Sequence, residues 1–446
     1  MLKDYESSFN YKKFLSIMIL LIATLLIDTS IVKIYDLVNK GFMGSDHKLI
    51  LFSVNTAFCM LLQFAILRYL QSSAGKYPLN NRLKANLLYR FSLGSLLIIA
   101  ALLAILTFQM VYNSYYKELI PIFVVAISYG TAALFVVRLS MLFISWYKSS
   151  HDRLIFLFFA SMLLIAFNLI MTAIITDIKI NDRADEAREF VGGTVDLSVG
   201  GRYTLLNSIY SLSSAISFIS IWITTALLMK YYREKLTNVI IYWFILSIPL
   251  TYFFVNYIYI YILSSILQSY LAIDPITVSI LLTAFLTLSK PIGGLTFAIA
   301  FWKISKTVSY EKNVKTCMII SGWGILLVFG ADQAVVQTLA PYPPFGLVTV
   351  TVLITSSYLM LFGIYNSASL VSVNNKLRKS IYKHASESRL LSLIGHAEFE
   401  KEVKKTVQRI TEDKAHLIDT SELLTIDEKE LEKYIDFVVR EIQKRH

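Results

Sequence analysis

Ten stretches of this chain are long and apolar enough to cross a bilayer, and no other feature constrains the fold as strongly. They lie at roughly 14–35, 49–70, 88–112, 119–147, 153–176, 204–230, 238–264, 276–304, 314–331 and 346–369. A span needs about 20 mostly apolar residues, because the hydrocarbon core is about 30 Å thick and a helix rises 1.5 Å per residue. Inside lipid the backbone must satisfy its own hydrogen bonds, and these runs are too long for barrel strands, so helices are expected. The fold class is therefore all-α: a polytopic transmembrane helix bundle of about ten spans, residues 1–372, followed by a C-terminal helical tail, residues 373–446.

Charge gives the orientation. Lys12 and Lys13 precede the first span. Every second connection is then basic: Lys76, Arg82 and Lys84; Lys148 and Arg153; Lys230, Arg233 and Lys235; Lys306, Lys312 and Lys315. The tail opens with Lys376, Arg378 and Lys379. The intervening connections are poor in Lys/Arg or acidic. The positive-inside rule then places both termini in the cytoplasm of a multi-pass cell-membrane protein. Ten spans satisfy this alternation, and a miscount by one would put two basic groups outside.

The basic excess belongs to the membrane part. Residues 1–372 hold 27 Lys/Arg against 17 Asp/Glu, and residues 373–446 hold 15 against 14. Such loops orient spans, and no basic stripe interleaved with stacking aromatics points to nucleic acid. Cys59 and Cys317 fall within or at the end of apolar runs and read as small apolar residues rather than a disulfide framework. All six histidines lie in connections or the tail, which argues against a haem or His-ligated metal in the bundle. The chain has no P-loop, GxSxG, HExxH or CxxC pattern. No cofactor is expected, and nothing in these patterns suggests an enzyme. The apolar run from Phe14 is too long for a signal core and is read as a retained first span.

Charges inside spans face the bundle interior by preference and are functional candidates. Asp28 and Lys290 each lie about 21 Å from the inner face, counted along their helices, so the two can sit at one depth and pair. Either they form a packing ion pair or they mark a substrate or proton site. Arg138 lies about 13 Å from the cytoplasmic end of its span, where it either snorkels or holds an internal acid. Lys290 opens the sequence KPIGG. Pro291 removes a backbone donor and Gly293–Gly294 loosen the helix, as in broken transporter helices. The corresponding stretch of the other half, FSLGSLLIIA, has no matching break. A packing kink is the simpler reading.

Two outer segments stand out. Residues 177–202 form the longest outer connection, with six acids and four basics, and VGGTVDLSVGG within it suits a small hairpin; the connection reads as a solvated loop or as a lid over the bundle. Between spans nine and ten lies ADQAVVQTLAPYPPFG, with three of the chain's eight prolines. Pro341, Pro343 and Pro344 restrict the chain to a short stiff turn. Tyr342 and Phe345 fit an interfacial aromatic belt. Asp332 and Gln333 stand at the mouth of span nine, where a ligand can reach them. The segment reads as a rigid clamp on the last helix.

In the tail, Ile394, Phe399, Val403, Val407 and Ile410 recur at roughly helical spacing. A second helix is expected from Thr425, where Thr425 and Glu428 make a capping box. These amphipathic helices are expected to pair with each other, with another subunit or with a protein partner through 385–446.

The stretch GWGILLVFGADQAVVQTLAPYPPFG, with the last span and NNKLRKSI, resembles uncharacterised polytopic membrane proteins of archaeal genomes. The resemblance covers about residues 320–385 and implies the bundle architecture but no particular activity. Three functions stay open from the residues: a sensor coupling the bundle to its tail, a transporter or channel with a site around Asp28 and Lys290, and a structural subunit of a membrane complex.

Overall fold

The computed structural model describes residues 11–31, 45–74, 79–189, 204–235, 239–258, 289–308, 311–338, 343–383 and 388–417. All regular secondary structure among them is helical. The helices are α1 (Tyr11–Leu26, continuing as a π-helical turn Ile27–Ile31), α2 (Ser45–Ala74), α3 (Leu79–Asn113) and α4 (Leu119–Ser150). Next come α5 (Arg153–Glu189), α6 (Thr204–Lys235), α7 (Val239–Ile258) and α8 (Ser289–Thr307). The chain then forms α9 (Lys312–Thr338), α10 (Leu347–Val373), α11 (Asn375–Lys383) and α12 (Arg389–Leu417).

Seven of these are long and apolar enough to cross a membrane: α2 to α6, α9 and α10. The protein is thus a multi-pass helical membrane protein. The other three expected spans fall on α1, α7 and α8, and each runs on into residues outside the described set. So does the hairpin expected within 191–201 and the helix expected from Thr425. One boundary differs clearly. The connection expected from residue 177 begins as helix, since α5 continues to Glu189.

The bundle is organised around α10. Every side chain from Leu347 to Ile364 is buried. The helix packs against α9 most extensively, then against α4, α12, α3 and α2. Its sequence explains the position. It carries no charge, and its many hydroxyls bond back to its own backbone: Thr351 to the Val348 carbonyl, Ser357 to that of Leu353, Ser367 to that of Ile364. A helix without a polar face has no side to give to water or headgroups and is buried all round. The outer helices instead present apolar residues outward, such as Leu87, Leu97 and Phe108 on α3. That pattern fits lipid contact.

Small residues set the α9–α10 distance. A Cβ on Gly324 would lie 2.5 Å from the Met360 nitrogen and 2.8 Å from the Ser356 carbonyl. Gly363 returns the same contact from α10, against the Cys317 carbonyl at 2.5 Å. Without a hydrophobic drive in lipid, such close backbone approach supplies the packing that holds helices together. A side-chain bridge ties α2 to the same core. Gln63 donates to Thr351 Oγ1 at 2.9 Å and accepts from Thr355 at 2.8 Å.

The described part of the tail lies on the bundle. From Arg389 onward α12 packs on α10, α4 and α5, and α11 packs on α12. Leu390, Leu391, Ile394 and Ala397 are fully buried.

Candidate intramembrane polar site

Lys290 stands at the start of the described part of α8, and Asp332 lies near the end of α9. Their side chains form a buried ion pair, Nζ to Oδ2 at 2.6 Å, with each residue only 4% exposed. A buried charge left without a counter-charge is costly, which is why the two meet. The same Asp332 oxygen accepts a hydrogen bond from Asn168 Nδ2 of α5 at 3.1 Å. Ser213 of α6 donates to Asn168 Oδ1 at 3.3 Å, fixing the amide with its NH2 towards the carboxylate. The Tyr129 hydroxyl of α4 donates to the Asp332 backbone carbonyl at 3.4 Å. The Lys290 ammonium also lies 5.8 Å from the centre of the Tyr210 ring on α6. Five helices thus meet on one charged pair.

The set is incompletely satisfied. Asp332 Oδ1, Asp177 Oδ1, Ser128 Oγ and Ser289 Oγ are buried and have no hydrogen-bond partner among the described residues. Asp177 is half-buried on α5 and acts electrostatically, together with Asp332, on the Tyr129 hydroxyl.

Asp28 serves elsewhere. The π turn carries it to the first turn of α10, where Oδ2 accepts the Thr349 backbone N–H at 2.9 Å and its hydroxyl at 2.7 Å. Gly346 opens that helix at φ 95°, a left-handed conformation that glycine alone adopts freely, and it has no side chain to cap with. Asp28 supplies the missing cap from another helix, and its charge complements the positive end of the helix dipole. The expected Asp28–Lys290 pairing is therefore replaced by two separate partnerships. Counting residues along a helix says nothing about which way a side chain points around it.

The remaining candidates divide as follows. Pro343, Pro344 and Phe345 form a turn in which the Phe345 N–H donates to the Pro343 carbonyl at 2.8 Å. Phe345 is buried edge-on against Phe52, with ring centroids 5.6 Å apart, rather than placed in an aromatic belt. Pro341, Tyr342 and the Gln333 side chain lie outside the described set. Asp332 is no outward-facing mouth residue, since Lys290 and Asn168 hold it inside. Arg138 is exposed on α4 and does not join Lys290 or Asp28. It acts on Tyr365 of α10, which also feels Glu398 and Glu402 of α12. The KPIGG glycines serve close packing: a Cβ on Gly294 would meet Phe329 Cβ at 2.7 Å, and one on Gly293 would enter the Phe218 ring.

Sequence reading singled out both members of the ion pair but in different roles, and it missed Tyr129, Asn168, Tyr210 and Ser213. One signal was available. Asn168, Thr172 and Thr176 recur every fourth residue, which draws a polar stripe on one face of an apolar span.

The opposite end of the bundle holds a second cluster. Trp146 of α4 donates its indole N–H to Glu398 of α12 at 2.7 Å, and Glu398 is only 5% exposed. Arg389 bridges to Asp152 at 3.0 Å. Arg378 stacks on the Phe399 ring at 3.7 Å. Gly395 lies so close to Val371 that no side chain fits between α12 and α10. Partial burial lowers the Arg378 pKa below its ordinary value.

These features define a helical membrane protein with a buried, partly unsatisfied ion pair in one half and a docked tail helix at the other end. Comparison with known proteins finds no matching family model, no matching curated protein and no matching solved structure.

Proposed function

We propose that this protein is a membrane coupling protein, in which a change at the polar site in the bundle alters the docking of the cytoplasmic tail. In this reading the chain spans the cell membrane about ten times with both termini inside. The Lys290–Asp332 and Asp28–Thr349 contacts then lie in the outer half and α12 lies at the inner face. The observation that carries the reading is the position of α10. Its first turn is held by Asp28, and its last turns lie under α12 through Val371 and Gly395. A rigid, fully packed helix with distinct contacts at its two ends is suited to pass a shift from one to the other.

The test is a cysteine pair at positions 152 and 389 joined by a short thiol-reactive crosslinker, which reports tail docking. Coupling predicts that Lys290→Met or Asp28→Ala changes the crosslinking rate by about fivefold or more, the lower end of ordinary coupling energies. Unchanged rates in both variants, with the bundle folded, would sink the proposal.

A transporter is the second reading, favoured by the buried Lys290–Asp332 pair and its carboxylate oxygen that has no partner among the described residues. It predicts solute flux by purified protein in liposomes that Lys290→Ala abolishes. Flux that survives this substitution removes the site.

A further inference from the structure

We infer that Asp332 anchors a binding site for one small monovalent cation, for which the Lys290 ammonium is the internal stand-in. Lys290 Nζ sits 2.6 Å from Asp332 Oδ2, in the position a bound cation takes against a carboxylate. The second carboxylate oxygen is buried and has no donor among the described residues. Leaving such an oxygen unpaired costs about 1–3 kcal/mol, and a cation removes that cost.

Neutral polar groups stand around the same carboxylate. Asn168 contacts it through its amide nitrogen and carries its carbonyl oxygen beside Ser213 Oγ. The Tyr129 hydroxyl touches the Asp332 main-chain carbonyl. Rotation of the Asn168 amide would turn its carbonyl oxygen towards the carboxylate, and a carboxylate with an amide oxygen beside it suits an alkali or ammonium ion.

The stand-in selects the valence. Lys290 is the cation paired with Asp332, and it carries a single charge. One ammonium meets one carboxylate charge at this contact. One monovalent ion balances it, whereas a divalent ion would overshoot. The described residues also hold no cluster of three His, Cys, Asp or Glu that would cage a divalent metal. A displaced Lys290 keeps the face of Tyr210, 5.8 Å away, as an alternative partner.

This inference needs the ion-pair site but not the tail coupling proposed above, so the two fail separately. The experiment follows thermal unfolding of the purified full-length protein by tryptophan fluorescence. Sodium chloride and ammonium chloride are titrated against N-methyl-D-glucamine chloride at equal ionic strength. The wild type should gain thermal stability with sodium or ammonium beyond the bulky control. Lys290→Met, which removes the internal competitor, should lower the midpoint concentration by about tenfold or more. The double variant Lys290→Met/Asp332→Asn removes both members of the pair, so neither is left buried against a missing partner, and it should lose the ion-specific gain. Three results would overturn the inference: identical curves in all three salts, an unshifted midpoint in Lys290→Met, or a response retained by the double variant.

Discussion

At the scale of single residues, the ion pair and the imported helix cap make different demands. Asp332→Ala leaves the Lys290 ammonium buried without its carboxylate, a change worth about 3–5 kcal/mol of destabilisation. Lys290→Met combined with Asp332→Leu should recover most of that loss, because a buried pair contributes little beyond satisfying itself. Detergent-phase thermal unfolding of the two variants checks both statements. Asp28→Ala removes a charged acceptor from two donors on Thr349 and should cost about 1.5–3 kcal/mol. Asp28 and Lys290 were legible in the sequence as intramembrane charges. Their partners were not, since helical depth follows from residue counting but rotation about the axis follows from packing. Asn168 carries no charge and so raised no alarm, although its spacing with Thr172 was readable.

At the scale of elements, α9 and α10 meet backbone to backbone at Gly324 and Gly363. Gly324→Ala places a methyl group against main-chain atoms that cannot rotate away, so a loss of about 1–3 kcal/mol is expected, measured by thermal unfolding. Gly395 makes the corresponding contact for the tail. Gly395→Leu should release α12 from Val371, read as loss of the 152–389 crosslink, while bundle unfolding stays unchanged. The docked helix also contains a pH-sensitive position. Partial burial, and then the neighbouring Glu398 charge, raise the Glu402 pKa above its ordinary 4.5, while Lys401 and Lys405 oppose the shift. A raised acid disfavours its charged form in the docked state. Glu402 therefore supports docking fully below the ordinary carboxylate value, and this support is lost as pH rises through the docked value. Glu402→Gln should strengthen the crosslink at neutral pH and flatten its acid dependence. Glu402 is only partly buried, so the effect is modest.

At the scale of the whole molecule, the two clusters occupy opposite ends of one bundle, joined by its most buried helix. Tyr129, Asp332, Asp28 and Thr349 gather at one end. Trp146, Asp152, Val371 and Glu398 gather at the other. That arrangement makes tail release by Gly395→Leu a sharp probe. If α10 transmits, a released tail should also shift the sodium midpoint at Asp332, because coupling between two binding equilibria is reciprocal. An unchanged midpoint with a released tail would leave the ion site independent of the tail.

The sequence by itself determined that this is a helical membrane protein and where most of its helices lie. Those properties follow from local apolar length, charge and composition, which act on each segment alone. Tertiary structure decided that Lys290 meets Asp332, that Asp28 caps α10, that Phe345 is core and that the tail folds back onto its own bundle. Each depends on which face of a helix turns towards which neighbour. That choice is made by packing among segments distant in sequence, such as Asp28 with Thr349, and no single window of the chain contains it.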